Sequence, residues 1–236
     1  MECLYHEHLL ESSSLLALEG ETLKHAHVLR LREGEAVLLS NGRGLCAKTS
    51  VQKVGKNEIL CVVQNFLPQH GELSFPFVLA LGILDNRDRM EFAIEKAVEL
   101  GVTEIFPLLT DNGERFAANR IKSERLAAKA LAAMEQSQRA CLPTIHAPCR
   151  VEEFIQQHPQ ESTIILADIH GSKTQQLPLT QPVCVAVGAE GGFSERELLL
   201  LKNDPRCTAW NLAPRRLRAE TAALTCLAAV LCVQKQ

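Results

Sequence analysis

The sequence has no apolar run long enough for a membrane span, no closely paired cysteines and no net positive charge. Its longest nearly unbroken apolar stretches, Phe75 to Leu84 and Ala222 to Val233, fall well short of the roughly 20 residues that a transmembrane helix requires. The N-terminal "MECLYHEHLLESSS" is acidic and lacks a basic region leading into an apolar core, so no secretory signal is expected. These absences predict a cytoplasmic protein without a membrane partner. The nine cysteines include no C-x-x-C pair. Their odd number argues against a disulfide framework or a zinc site, and they read as buried reduced thiols. His6 with His8 and His25 with His27 lack partner cysteines and have the i, i+2 spacing of a strand face. Exposed or hydrogen-bonded side chains are therefore expected, and no metal. There is neither an internal repeat nor a low-complexity segment.

A formal charge of −3 and a pI near 6.3 give no general sign of a nucleic-acid binder. The local distribution differs. Basic residues gather between Lys24 and Lys56, between Arg115 and Arg139, and between Arg206 and Arg218, the last with no acid among them. A charged cluster is ordinarily a solvated face, but three in an acidic chain raise the question of phosphate.

The chain is long enough for one large domain or two small ones, and 46% hydrophobic residues fill a core. Up to about residue 68 short alternating runs are separated by turn signals, as in "EAVLLSNGRGLCAKTSVQKVGKNEILCVV". Asn41-Gly42 between two such runs predicts a hairpin, because both turn positions favour positive φ. "LPQHGELSFP" (67–76) reads as a linker. Beyond it, strands alternate with helices. "FVLALGIL" is a buried strand, and "RMEFAIEKAVELG" places Met90, Ala93, Ile94, Ala97 and Val98 on one helical face and ends at Gly101. "TEIFPLL", a basic helix near 121–138, "STIILAD", "VCVAVG", a short helix, "CTAWNL" and an apolar helix over 219–233 complete the series. This pattern predicts an α/β fold with a parallel sheet covered on both faces.

Ligands of such sheets sit beyond the carboxyl ends of the strands. Two loops fall there. In "VCVAVGAEGGFSEREL" (183–198), Ser194 and Glu197 form a capping-box pattern that starts a helix at Glu195. Gly188, Gly191 and Gly192 thus stand between a strand end and a helix N-terminus, where they either make a tight turn or let a ligand touch main chain. The pattern is neither a dinucleotide fingerprint nor a P-loop. In "NLAPRRLRAETAAL", Arg215, Arg216 and Arg218 precede a helix whose positive end disfavours cations. They form a solvated basic loop or contact an anion through guanidinium forks.

Together these stretches resemble the RsmE-type family of the SPOUT methyltransferase superfamily, which methylates N3 of a uridine in bacterial small-subunit (16S) ribosomal RNA. "HAHVLRLREGEAVLLSNGRG" is similar to its N-terminal PUA-like RNA-binding module. "RMEFAIEKAVELGVTEIFPLLTDNGER", "EQSQRACLP", "VGAEGGFSERE" and "LAPRRLRAETAAL" follow in the family's order. The resemblance implies a PUA-like domain over 1–70 and a SPOUT domain over 71–236 with a deep trefoil knot, a rare departure from unknotted chains. It also implies a homodimer and bound S-adenosylmethionine. Cofactor contacts are expected at Leu166, Gly188, Glu190, Gly191, Gly192, Leu212, Pro214, Leu217 and Thr221. Arg218 is expected to favour deprotonated uracil by facing a carbonyl oxygen, with Glu190 or Glu220 as the candidate proton acceptor; for each acid a cap or an arginine partner is the plainer role. Arg30, Arg32, Arg115, Arg120, Lys122, Arg125, Arg139 and Arg216 are the candidates for contact with RNA, possessed either by free RNA or by an assembled small-subunit particle.

The chain departs from the family pattern in three places. Ala189 stands for a proline, Arg216 for an isoleucine and Ala219 for a threonine. Loss of the proline frees one φ, whereas Arg216 either reaches solvent or meets phosphate. These departures keep two alternatives open: an RNA-binding protein whose methyltransferase domain no longer catalyses, and a SPOUT enzyme acting on another RNA site.

Overall fold

The computed structural model describes residues 1–113, 122–173 and 181–233. The chain divides into two compact units, one of Met1–Glu72 with Leu131–Leu142, the other of Leu73–Ala130 with Pro143–Gln236.

The first unit is built on β1 (Glu2–Tyr5), β2 (Leu15–Leu18), β3 (Ala36–Ser40), β4 (Leu45–Val54) and β5 (Ile59–Pro68), with α1 (Gly20–Val28) between β2 and β3. The sheet runs β1-β3-β4-β5-β2, with β1 parallel to β3 and the other neighbours antiparallel. Strand alternation sends Val37 and Leu39 to one side, where they pack with Leu18, Ile59 and the buried face of α1. Leu38 points the other way, to Cys3, Cys46 and Ala140. Ala140 comes from the Leu131–Leu142 segment, which covers this second face although in sequence it lies inside the stretch assigned to the second domain.

Four expectations change here. The predicted hairpin is present between β3 and β4, but positive φ occurs at Gly42 and Gly44, not Asn41. Asn41 instead accepts the N–H groups of Arg43 (2.8 Å) and Leu45 (3.1 Å) through its side chain, the local side-chain turn typical of asparagine. His25 and His27 lie in α1, where i, i+2 residues do not share a face. The expected linker is tied down, because Glu72 is buried and accepts from Arg139. That pairing also removes Arg139 from the RNA-contact candidates: its side chain is 2% exposed and its Nη2 lies 2.6 Å from Glu72 Oε2. Burying an arginine is tolerable only with a partner of this kind, and phosphate cannot reach it.

The second unit contains β6 (Phe77–Gly82), α2 (Arg87–Glu99), β7 (Glu104–Leu109), β8 (Thr144–Ile145), β9 (Cys149–Arg150), α4 (Val151–Gln157), β10 (Thr163–Ser172), β11 (Val183–Val187), α5 (Glu195–Asn203), β12 (Cys207–Trp210) and α6 (Ala219–Val233). Helix α3 (Ser123–Gln136) begins in this unit and ends in the first. The sheet order is β12-β10-β11-β6-β7-β8, with β9 also pairing β7. Every pairing is parallel. Val78, Ala80, Ile164, Leu166, Cys184 and Ala186 pack with Val151 and Phe154 of α4, Leu201 of α5 and Phe193 just before α5. The alternate residues face the other side, where α6 packs on β11 and β6 and against α2. The five apolar residues predicted for one face of α2 are all buried, and Gly101 follows the helix at φ 91°, the left-handed geometry that ends many helices.

Candidate functional site

At the carboxyl edge of the second sheet, the loops after β11 and β12 enclose a cavity of about 440 Å³. Gly188, Ala189, Glu190 and Gly192 line it from one loop, and Leu212, Ala213 and Arg215 to Ala219 from the other. Asp168 and Ile169 of β10, Trp210 of β12 and Arg89 of α2 also line it.

The glycines between Val187 and Ser194 do different work. A Cβ at Gly188 would lie 2.7 Å from the carbonyl carbon of Gly192, and one at Gly191 would lie 2.8 Å from Asn112 O. Both residues let backbone pack on backbone. Gly192 has φ 69° and open space where its Cβ would be, so it alone combines left-handed geometry with room beside the main chain. A Cβ at Gly82, the last residue of β6, would overlap the backbone N of Ala189. The loop is therefore seated directly on the strand end beneath it.

The next turn is clamped. Ser194 Oγ accepts from Glu197 N at 3.2 Å and Glu197 Oε2 accepts from Ser194 N at 2.8 Å, the reciprocal cap expected from the sequence. Asp111, in the "TDNG" turn after β7, takes Ser194 Oγ at 2.7 Å and the Arg196 guanidinium at 2.9 Å. Arg196, then Ser194, hold the Asp111 carboxyl below its ordinary pKa. Asn112 Nδ2 donates to Gly191 O at 3.2 Å. The glycine loop is thus positioned by a neighbouring strand's turn.

Glu190 connects three loops. Both carboxylate oxygens lie 3.2 Å from the backbone N of Asp85, which follows β6. Its carbonyl accepts from Arg216 Nη2 at 3.1 Å across the cavity. Arg218 has an exposed side chain, and its carbonyl accepts from Ala222 N to open α6. No described residue forms a hydrogen bond or ion pair with its guanidinium. Glu220 is 8% exposed and lies 3.6 Å from Arg89 Nε, the plainer arginine-partner role. Deeper in the wall, burial opposes ionisation of Asp168, but Lys202 at 2.6 Å and the His170 N–H more than offset it and hold the carboxyl below its ordinary range. Trp210 is fully buried, and its indole N–H has no partner among the described residues.

Residues 71–231 match the family model of an RNA methyltransferase domain. The chain belongs to that RNA methyltransferase family. Residues 18–64 match an RNA methyltransferase PUA domain. The chain is similar to the ribosomal RNA small subunit methyltransferase E of Bacillus subtilis, at 28% identity over 94% of this chain and 91% of the relative. The Rickettsia conorii protein of the same name is 28% identical, covering 96% and 93%. Among solved structures, methyltransferase E from Neisseria gonorrhoeae, bound to S-adenosyl methionine, superposes with a TM-score of 0.88 at 27% identity, covering 99% of this chain and 98% of that one. A Legionella pneumophila methyltransferase structure, also in complex with that cofactor, gives 0.82 at 28% identity, covering 98% and 96%.

The RNA methyltransferase match contains both cavity loops. Of the residues singled out from sequence, Gly188, Ala189, Glu190, Gly192, Leu212, Arg215, Arg216, Leu217, Arg218 and Ala219 line the cavity. Leu166 is buried one residue below the wall, while Gly191, Pro214, Glu220 and Thr221 stand outside its lining. Arg30, Arg32 and Lys122 are exposed. Arg125 is half exposed and paired to Glu91 at 2.5 Å. Arg115 and Arg120 lie outside the described residues. Sequence reasoning missed Arg89, Asp168, Ile169 and Trp210. Asp168 ends the predicted strand "STIILAD" and Trp210 lies within "CTAWNL", both near the ligand-binding edge, a signal that was available; Arg89 arrives from a helix and carried none.

Proposed function

We propose that this RNA methyltransferase transfers a methyl group from S-adenosylmethionine to N3 of a uridine in small-subunit ribosomal RNA. The observation that carries the proposal is the cavity formed by both family loops at the carboxyl edge of a parallel sheet. Its walls suit the cofactor: main chain free of Cβ at Gly192, an indole N–H without a partner among the described residues and an ionised Asp168. The names and bound ligand of the relatives support the same reading. A deep trefoil knot in the second unit, a homodimer and a cytoplasmic location belong to the proposal as properties of the family.

S-adenosylmethionine, when bound, supplies an electrophilic methyl group on a sulfonium. Uridine N3 becomes nucleophilic only after its proton leaves, so the chain must favour the imide anion and align it. Arg218, exposed and without a partner among the described residues, is proposed to face a uracil oxygen as charge develops there. Glu190 and Asp168 are both carboxylates of the cavity wall; Asp168 is held by Lys202, and Glu190, on the glycine loop, is the candidate for taking the N3 proton. Glu220, outside the lining and beside Arg89, acts as that arginine's partner. The cofactor-site residues are proposed at Gly188, Gly192, Leu212 and Leu217, with Arg30, Arg32, Lys122 and Arg125 contacting RNA phosphate. The base must be taken out of its stack to reach the cavity.

The test is nucleoside mass spectrometry on small-subunit particles from cells lacking the protein, incubated with purified protein and isotopically labelled S-adenosylmethionine. Labelled N3-methyluridine supports the reading. Label in another nucleoside would change the target, and no label from folded protein given particles and free RNA would favour RNA binding without catalysis.

A further inference from the structure

Arg216 follows Pro214 and Arg215 in the loop after β12, yet its guanidinium turns back over the cavity and donates to the carbonyl of Glu190 in the loop after β11. The same Glu190 is anchored on its other side, because its carboxylate accepts from Asp85 N after β6. Loops from three strand ends thus meet at one residue. Among the described residues, this side-chain hydrogen bond joins the two cofactor loops across the cavity.

We propose that Arg216 is a positioning residue that ties the two loops together over bound S-adenosylmethionine, and is not a phosphate contact. The inference rests on the cofactor reading given above. A guanidinium suits the task, since it reaches across the cavity and donates several N–H groups in a fixed plane, and its charge strengthens the bond to a carbonyl. Breaking the tie leaves the main-chain contacts in place but lets the loops separate, so cofactor dissociation accelerates. Because the tie is solvent-exposed, the expected loss is moderate. An affinity loss of about three- to tenfold corresponds to one such hydrogen bond.

The experiment compares wild type, Arg216→Ala and Arg216→Lys as full chains. Trp210 is the single tryptophan and lies in the cavity wall, so its fluorescence reports S-adenosylmethionine binding and stopped-flow dissociation without a label. Salt dependence of RNA binding is measured in parallel. The tie predicts that Arg216→Ala raises the Kd and the dissociation rate together by about three- to tenfold, that lysine restores part of the loss by donating one bond, and that the RNA salt slope is unchanged. In turnover, KM for the cofactor rises while kcat holds. Unchanged cofactor affinity with a salt slope reduced by about one phosphate contact would overturn the tie and make Arg216 an RNA ligand. Equal Kd and equal slope would overturn it as well. Failure of wild type to bind S-adenosylmethionine, checked by equilibrium dialysis, would instead overturn the cofactor reading on which the tie stands.

Discussion

Replacing Arg139 by methionine separates a structural from an RNA-binding role more sharply than any other single substitution. Arg139 is 2% and Glu72 is 4% exposed, with Nη2 to Oε2 at 2.6 Å and Nε to Oε1 at 3.3 Å. Glu72 Oε1 also accepts the backbone N–H of Cys141 at 2.8 Å. Methionine fills much of the aliphatic volume but leaves a carboxylate buried with only a neutral donor. Breaking such a pair costs about 3–5 kcal/mol, a large share of a small unit's total stability. In urea, with a slope near 1.5 kcal/mol/M, the midpoint should fall by about 2–3 M. The companion Glu72→Leu with Arg139→Met removes both charges and should recover most of the loss. About 1 kcal/mol should remain missing, because Cys141 N has lost its acceptor. Urea titrations followed by far-UV circular dichroism measure all three, and RNA binding across salt concentrations is recorded on the same preparations. A methionine variant that unfolds at the wild-type midpoint, while its RNA salt slope drops by about one, would refute the buried-pair argument and return Arg139 to the phosphate contacts.

Other outcomes follow from the cavity and its supports. Arg218→Ala should lower kcat by about 10²–10³-fold, as loss of a charge-stabilising donor does, with little change in cofactor Kd; equal losses in both would place Arg218 in the cofactor site. Trp210→Phe deletes the indole N–H, which has no partner among the described residues, while keeping a ring, so dialysis with labelled S-adenosylmethionine on a variant confirmed as folded should show about a fivefold weaker Kd; an unchanged Kd would show that this N–H meets no ligand acceptor. His158 is buried, and desolvation, then the Arg206 guanidinium, lower its pKa from 6.5 to about 4. The folded state therefore resists a proton that the unfolded chain accepts, so up to about 3 kcal/mol of stability is lost as pH falls from about 6.5 towards 4. Urea midpoints over that range should fall less steeply in His158→Gln than in wild type, and parallel profiles would remove His158 as the cause.

Several parts of the architecture could be read before any coordinate was known. The apolar face of α2, the Ser194–Glu197 cap and the glycine after α2 depend on residues within one or two helical turns, and all three stand as expected. Helix α1 was missed because "GETLKHAHV" has only Leu23 and Ala26 buried, a weak periodic signal among strands. The Asn41 turn was anticipated, but with positive φ at the wrong residue, since a side chain able to imitate a turn need not enter the left-handed region.

Helices α1 and α4 and strands β8 and β9 were not determined by the sequence alone; the main strands of the second unit with helices α2, α3, α5 and α6, the loops at the strands' carboxyl ends and the residue types in those loops were. They rest on periodicity, capping and turn chemistry that act over a few residues. Tertiary structure decided which charges are consumed internally. Glu72 and Arg139 are 67 positions apart, Arg216 and Glu190 are 26 apart, and Asp111 meets Arg196 across 85. Such pairings depend on where the chain returns, and burial then fixes their energy by removing the water that would otherwise screen them. Basic residues that cluster in sequence therefore part in space into a core ion pair at Arg139, a tie across the cavity at Arg216 and, at Arg218, a guanidinium with no partner among the described residues.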